Sequence, residues 1–537
     1  MKRFQGLIFF GSGLAAAAAI YACGSSSNSD NGGGPPLNEA GADQTSSGSS
    51  SGSGSSSGTG SSSGTGSSSG GSGSSSGSTD GGPPPACSSL PGTVVYIMSG
   101  DTQEPLLKLL GRQLRDSANI TIAFQLTGSC TLSPALYAGT PLPANTTLEY
   151  IPSTAENPNW TTKDPEATCT TTAAVPPDLG ISAVYTTSCA GLGSPPTGIG
   201  QSNGPIQAYT MIVPTAEFAN QTSITAEEGY YAFGDGANNP VTYNGSPEWN
   251  DPTQFWLRPA SKSTLVSTAY NLGLTPKEMT LVTADGGTSD GRNLEASSTQ
   301  VLSAVTASTS MQAIGILGDE VYDANRGKGV NVLAFQTFGQ QYAYYPDSTT
   351  TAFDKQNIRD GHYVDWSPTV YITQVDSSGV PTNASVKFIE DLVLGNPNPT
   401  PPGGYVDGGA PIDGLGDIVT VGLTPSCAMQ VQKSGDGKPL SAYTPTAPCT
   451  CYFMSKAPQA TLPASCTTCT QNTDCTGAGA IGCFNGYCEY PPTPYPAGTP
   501  TGCDNTSIIN ACTNATAIQK TGLVIPMADG GLLPLNP

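Results

Sequence analysis

The chain has 537 residues, enough for two or three domains and a sizeable core. Its 40 acidic and 19 basic residues give a formal charge of −21. That balance excludes a nucleic-acid binder, which needs basic patches, and means any anion must be held by local donors. Fifteen cysteines point to an oxidising compartment.

Met1-Lys-Arg3 is a basic start, and Leu7 to Ala22 is an apolar run too short and alanine-rich for a membrane span. Residues 1–22 are read as a signal peptide. Ile20-Tyr21-Ala22-Cys23 resembles the bacterial lipobox, which implies lipidation of Cys23 and a membrane anchor through that lipid. Gly24 after the cysteine favours the outer membrane in the lipoprotein sorting pattern. Residues 23–86 are dominated by Ser, Gly and Thr. They cannot bury a core and read as a disordered tether with an r.m.s. reach on the order of 40 Å. Setting Cys23 aside leaves fourteen cysteines, up to seven disulfides, of unread connectivity.

Thr93 to Met98 is expected to be a buried strand, followed by the loop Ser99-Gly100-Asp101-Thr102. A helix from Glu104 to Leu114 follows, with Leu106, Leu107, Leu110 and Leu114 on one face. Ile120 to Leu126 is the next strand, and Thr127-Gly128-Ser129-Cys130-Thr131 its loop. Ile206 to Val213 is a further buried strand ending at Pro214. Thr225-Ala-Glu-Glu228 has a helix-start pattern with Thr225 as N-cap. Phe255-Trp-Leu-Arg258 is a short apolar run, and Ser261-Lys-Ser-Thr264 opens a helix to Leu272. A strand end, an arginine, three hydroxyls and a helix N-terminus make an anion cradle: free N–H groups point at the ligand, and the arginine can bind two oxygens. An ordinary strand–loop–helix with a surface arginine is the plain alternative.

Asp285-Gly-Gly-Thr-Ser-Asp290 reads as a turn rather than a calcium loop. Asp319 to Arg326 starts another helix, Val330 to Ala334 is a strand, and Lys387 to Leu394 is a late helix. After Gly395 the chain turns Pro- and Gly-rich. From Cys427 on, ten cysteines fall in 86 residues. Cys466, Cys469, Cys475, Cys483 and Cys488 resemble a small secreted cysteine-rich module. A zinc ribbon is the alternative, disfavoured by the lack of a second C-x₂-C and of a nearby histidine.

Together these segments resemble the phosphate-binding protein of bacterial ABC transporters, a type II periplasmic binding protein. The matching residues are Ala208-Tyr209, Glu227-Glu228-Gly229-Tyr230-Tyr231 and Arg258-Pro-Ala-Ser261-Lys-Ser263-Thr264. Gln312 to Gly318 resembles the family's return crossing, and Asn357 to Trp366 its late Asp-Gly-x-Tyr segment. The resemblance implies a two-lobed α/β fold over 87–425, with lobe one at 87–205 and 320–425 and lobe two at 206–319. A small disulfide-rich region, 426–537, follows. It implies ligand donors at Thr102, Ser129, Arg258, Ser261, Ser263 and Thr264. Two departures stand out. Lys262 replaces a usual glycine, and Ala183 replaces an aspartate that accepts a hydrogen bond from protonated phosphate. The second departure predicts poor discrimination between phosphate and sulfate.

No catalytic constellation is visible. His362 is the only histidine, and no nucleophile elbow, phosphate-loop motif or zinc-protease motif occurs. The sequence therefore reads as a non-enzyme without cofactor or metal. The leading expectation is a lipid-anchored solute-binding protein for phosphate or another small oxyanion, with an ABC permease as a further partner. The alternative is a surface lipoprotein that uses the binding fold as an adhesion or structural module. An empty cleft would leave Arg258 solvated, so its truncation is expected to spare stability.

Overall fold

The computed structural model describes residues 83–491, apart from 219, 220, 236–240, 244, 245, 284, 341, 397 and 398, plus short strands at 517–518, 524–526 and 532–534. Cys23 and the segments read above as signal peptide and tether, up to residue 82, lie outside the described residues.

The first half opens with β1 (Thr93–Gly100), a short 3₁₀ turn at Asp101–Gln103, and α1 (Glu104–Ala118). Pro105 sits in the first turn of α1, where no N–H is needed, and Asn119 ends it in the left-handed region at φ 52°. Leu106, Leu107, Leu110 and Leu114 are buried against Val95, Ile97, Ile122 and Phe124, each burial contributing about 1.5–3 kcal/mol. Next come β2 (Ile120–Thr127), α2 (Ser129–Tyr137), β3 (Thr147–Tyr150), β4 (Ala167–Thr170) and β5 (Leu179–Ser182). The sixteen-residue β6 (Ile199–Pro214) then leaves this half.

The second half holds α3 (Thr215–Phe218), β7 (Ser223–Thr225), α4 (Ala226–Asp235) and the pair β8 (Val241–Tyr243) and β9 (Ser246–Glu248). Thr225 and Glu228 form the expected reciprocal cap of α4. It continues with β10 (Phe255–Leu257), α5 (Ser263–Asn271), α6 (Pro276–Thr280), β11 (Asn293–Leu294), α7 (Ser298–Ala307) and β12 (Ile314–Gly318). Asp290 pairs with the buried Arg292, whose Nη1 donates to the carbonyls of Phe233 and Met279, so this loop is a structural turn. After β12 come α8 (Asp319–Asp323), β13 (Val330–Val332), β14 (Ala334–Gln336), β15 (Ala343–Tyr344) and α9 (Gln356–Arg359).

The return crossing is β16 (Trp366–Gln374), not the segment near 320. β13 still pairs with the far end of β6, and Trp366 pairs with Ala208 only afterwards. The lobe boundary thus falls about 45 residues later than the sequence reading set it. The main sheet runs β11-β10-β12-β6-β16-β5-β1-β2-β3-β4, with β13 also on β6. Each half repeats one plan: three parallel strands, the first in sequence in the middle, then an antiparallel crossing strand. The result is a mixed α/β fold of two similar halves joined through β6 and β16.

Then follow α10 (Ala384–Leu394), α11 (Gly414–Thr420), the hairpin 431–442, α12 (Thr450–Lys456) and a second hairpin at 482–489. Cys427, Cys449, Tyr452 and Phe453 share the core of α1 and α10, so this region is built into the first half. Among the described residues six disulfides form: Cys87–Cys169, Cys130–Cys189, Cys427–Cys449, Cys451–Cys466, Cys469–Cys483 and Cys475–Cys488. Bonded sulfurs cannot serve as zinc thiolates, so the C-terminal region is a disulfide-rich module. Cys503 and Cys512 lie outside the described residues.

Candidate functional site

The cleft is built where the loop after β1, the start of α2, the loop after β10 and the starts of α5 and α7 meet. β10 ends at Leu257, which places Arg258 at the sheet edge. Its side chain is 1 % exposed, and its donors are largely taken. Nε donates to the Glu295 carbonyl at 3.1 Å, Nη1 to Ser298 Oγ at 2.8 Å and Nη2 to the Ala296 carbonyl at 2.8 Å. Nη2 also pairs with the Asp101 carboxylate from the opposite half. The expectation of a solvated arginine is therefore corrected: burial and an internal counter-ion hold it.

Lys262 Nζ reaches the same Asp101 oxygen at 3.2 Å. Two cations against one acid leave this corner with a net charge of +1. Thr102 is buried, and its Oγ1 accepts from Gln103 Nε2 at 3.4 Å. Ser129 Oγ accepts the Ala183 N–H at 3.0 Å, so this predicted donor is tied to the position where the family's aspartate is missing. The Ser261 carbonyl accepts the Cys130 N–H at 3.1 Å across the cleft. A Cβ on Gly128 would stand 2.7 Å from that carbonyl, so only glycine lets the two loops approach this closely.

Ser263 and Thr264 begin α5. Ser263 is buried and hydrogen-bonded to the Tyr209 phenol, which also donates to the Ala183 carbonyl. Thr264 is 0 % exposed, and its Oγ1 has no hydrogen-bond partner. A buried hydroxyl without a partner costs about 1–3 kcal/mol, and a ligand oxygen would relieve that cost. The six predicted residues thus converge on one neighbourhood. Thr102 and Arg258 line an open cavity, while Ser129, Ser263 and Thr264 are buried and Ser261 half-buried, outside its lining.

Sequence reasoning missed Asp101, although it lies in the Gly-Asp-Thr loop already singled out. It also missed a buried relay behind the cleft. Gln103 Nε2 donates to Gln207 Oε1 at 3.2 Å, and Gln207 Nε2 donates to the Glu320 carboxyl. Burial pushes that carboxyl up to about 8, despite the lowering by the Gln207 hydrogen bond. His362 is buried, its Nδ1 lies 2.7 Å from Asp360 Oδ1, and its ring stacks on Tyr344.

Where the two crossing strands exchange halves, the hairpin 431–442 presses on them. The buried Lys433 Nζ donates to the Trp366 carbonyl at 3.0 Å and lies over the Trp366 ring. Asp436 accepts from Ser188 Oγ, the Tyr185 N–H at 3.1 Å and Ser367 Oγ. Burial raises Asp436 to about 7 and Asp365 to about 6, and lowers Lys433 to about 8.

These groups set a pH dependence. Glu320, Asp436 and Asp365 bind protons more tightly folded than unfolded, so the folded state holds more protons between about pH 4 and their raised values. Stability therefore falls as pH rises through that window, by about 1.4 kcal/mol per group per pH unit at most. Lys433 has the opposite sign, but only above about 8. The melting temperature should drop by several degrees from pH 5.5 to pH 7.5, and Glu320→Gln should flatten part of that slope. A flat or rising profile would show that these carboxyls are not buried in solution.

No known family profile matches the chain, and no curated protein is similar to it. Among solved structures, it is similar to a putative phosphate ABC transporter substrate-binding protein with bound phosphate from Clostridium perfringens. The identity is 10 % and the TM-score 0.37, covering 62 % of this chain and 99 % of that one. An ABC-type phosphate transport receptor from Vibrio cholerae matches at 15 % identity and TM-score 0.32, over 53 % of this chain and 88 % of that one. The reduced OxyR regulatory domain from Pseudomonas aeruginosa matches at 9 % identity and TM-score 0.28, over 53 % and 90 %. Likenesses this distant assign this chain neither a ligand nor a residue's role.

Proposed function

We propose that the chain is an extracytoplasmic, lipid-anchored binding protein for phosphate or a similar small oxyanion, held in the cleft by Arg258, Lys262 and the start of α5. The observation that carries this reading is the partnerless, fully buried Thr264 hydroxyl at a helix N-terminus, beside a corner of net charge +1. A helix N-terminus, a hydroxyl and a guanidinium are the donor types an oxyanion needs. Cys23 is the proposed lipid anchor, the outer membrane its proposed site, and an ABC permease its proposed partner.

Asp101 changes the expected selectivity. A carboxylate at the site accepts a hydrogen bond from a protonated oxyanion and repels one that carries no proton. Hydrogen phosphate should therefore bind more tightly than sulfate, opposite to what Ala183 alone suggests. Asp101→Asn should strengthen sulfate binding and narrow the gap by about tenfold or more. Calorimetry with both anions on both proteins checks this, and binding of neither anion by wild type would sink the reading.

A second reading has its own support. The Cys130 N–H···O=C Ser261 bond, the Asp101–Arg258 pair and the hairpin on the crossing strands all hold the two halves together. Such a locked body suits an adhesion or structural module. The calorimetry above separates the two readings.

A further inference from the structure

The cleft does not end at the anion corner. From Asp101, Thr102 and Arg258 it opens into a cavity of about 650 Å³ between α1, the start of α7, α8 and the 419–423 segment. Pockets of about 300–1,000 Å³ hold organic ligands, and a bare tetrahedral anion would fill only a small part of this one. Every cation on the wall has an acidic partner. Arg258 pairs with Asp101, Lys108 with Glu104 at 2.8 Å, and Lys355 with Asp323, all on the cavity lining. Glu320 accepts a hydrogen bond from Gln207, and burial raises its pKa to about 8. Away from the corner the wall therefore offers no unpaired cation to a second anionic group. It offers apolar surface at Leu109, Val321, Phe353 and Val421 and hydrogen-bonding groups at Thr299 and Asn325. Such a wall fits an uncharged, hydroxyl-bearing carbon skeleton.

We propose that the ligand is a phosphomonoester of a polyol or sugar, its phosphate at the Arg258 corner and its organic part in this cavity. This rests on the anion-binding reading above and goes further in naming the ligand class.

The test compares inorganic phosphate, glycerol 3-phosphate and glucose 6-phosphate by calorimetry on wild type and on Ala324→Trp. Ala324 lies on the cavity wall, exposed at the end of α8 and apart from the residues that hold Arg258, so a tryptophan there should crowd the cavity. At least one ester should bind wild type about tenfold or more tighter than inorganic phosphate. Ala324→Trp should remove that advantage and leave phosphate affinity within about twofold. Phosphate binding as tightly as both esters would overturn this inference and leave the anion reading standing. So would an ester advantage that survives Ala324→Trp in a variant that melts like wild type. Failure of all three ligands to bind wild type would remove the anion reading, and this inference with it.

Discussion

Arg258→Ala should strongly weaken anion binding and also destabilise the ligand-free protein. The guanidinium is 1 % exposed and donates to Glu295, Ala296, Ser298 and Asp101. Its truncation strands two carbonyls and leaves Asp101 with Lys262 alone. Breaking a fully buried ion pair typically costs about 3–5 kcal/mol. Asp101 is 20 % exposed and keeps a partner at 3.2 Å, so a loss of about 2–3 kcal/mol is expected here. Binding should weaken by on the order of 30-fold to several-thousand-fold, since truncating one side of a desolvated charge pair costs about 2–5 kcal/mol. A double-mutant cycle with Asp101→Asn in denaturant melts isolates the pair. Wild-type stability for Arg258→Ala would mean the cleft stands open in solution, with the arginine in water.

What the sequence made legible is local. The strand–loop–helix from Thr93 to Ala118 could be read because its apolar spacing, Pro105 and Asn119 all act within a few residues. The start of α5 and the Thr225–Glu228 cap were legible for the same reason. The return crossing was not. Trp366 to Gln374 carries Pro368 as its third residue, which argues against a central strand, and the structure accommodates it at a register shift between Pro368 and Val370. The candidate site shows the same limit. Arg258 and Ser261 to Thr264 stand in one motif, but the counter-ion Asp101 lies 157 positions away in the chain. No local pattern encodes that pairing, nor the use of Gln207 and Glu320 as a relay behind the cleft.

Lys355→Ala is the other substitution with a large expected effect, and it too depends on distant residues meeting. Lys355 Nζ donates to Asp319 at 2.6 Å, to Asp323, and to Asp347 at 3.3 Å. Arg326 pairs with Asp323 and Asp347. Three carboxylates against two cations leave an excess negative charge, and burial with that crowding raises Asp319 to about 7. The ammonium thus occupies the centre of a group of oxygens that lie within 4.8 Å of one another. Without it one cation faces three buried acids, and about 3–5 kcal/mol of stability should be lost at pH 7.5. The deficit should shrink at pH 5, where the crowded carboxyls take up protons. Three converging carboxylates are also hard oxygen ligands, so millimolar calcium should restore part of the variant's melting temperature and leave wild type unchanged. Calcium stabilising both proteins alike would show that Lys355 does not fill the centre. No loss of stability in the variant at pH 7.5 would show that the three acids do not meet.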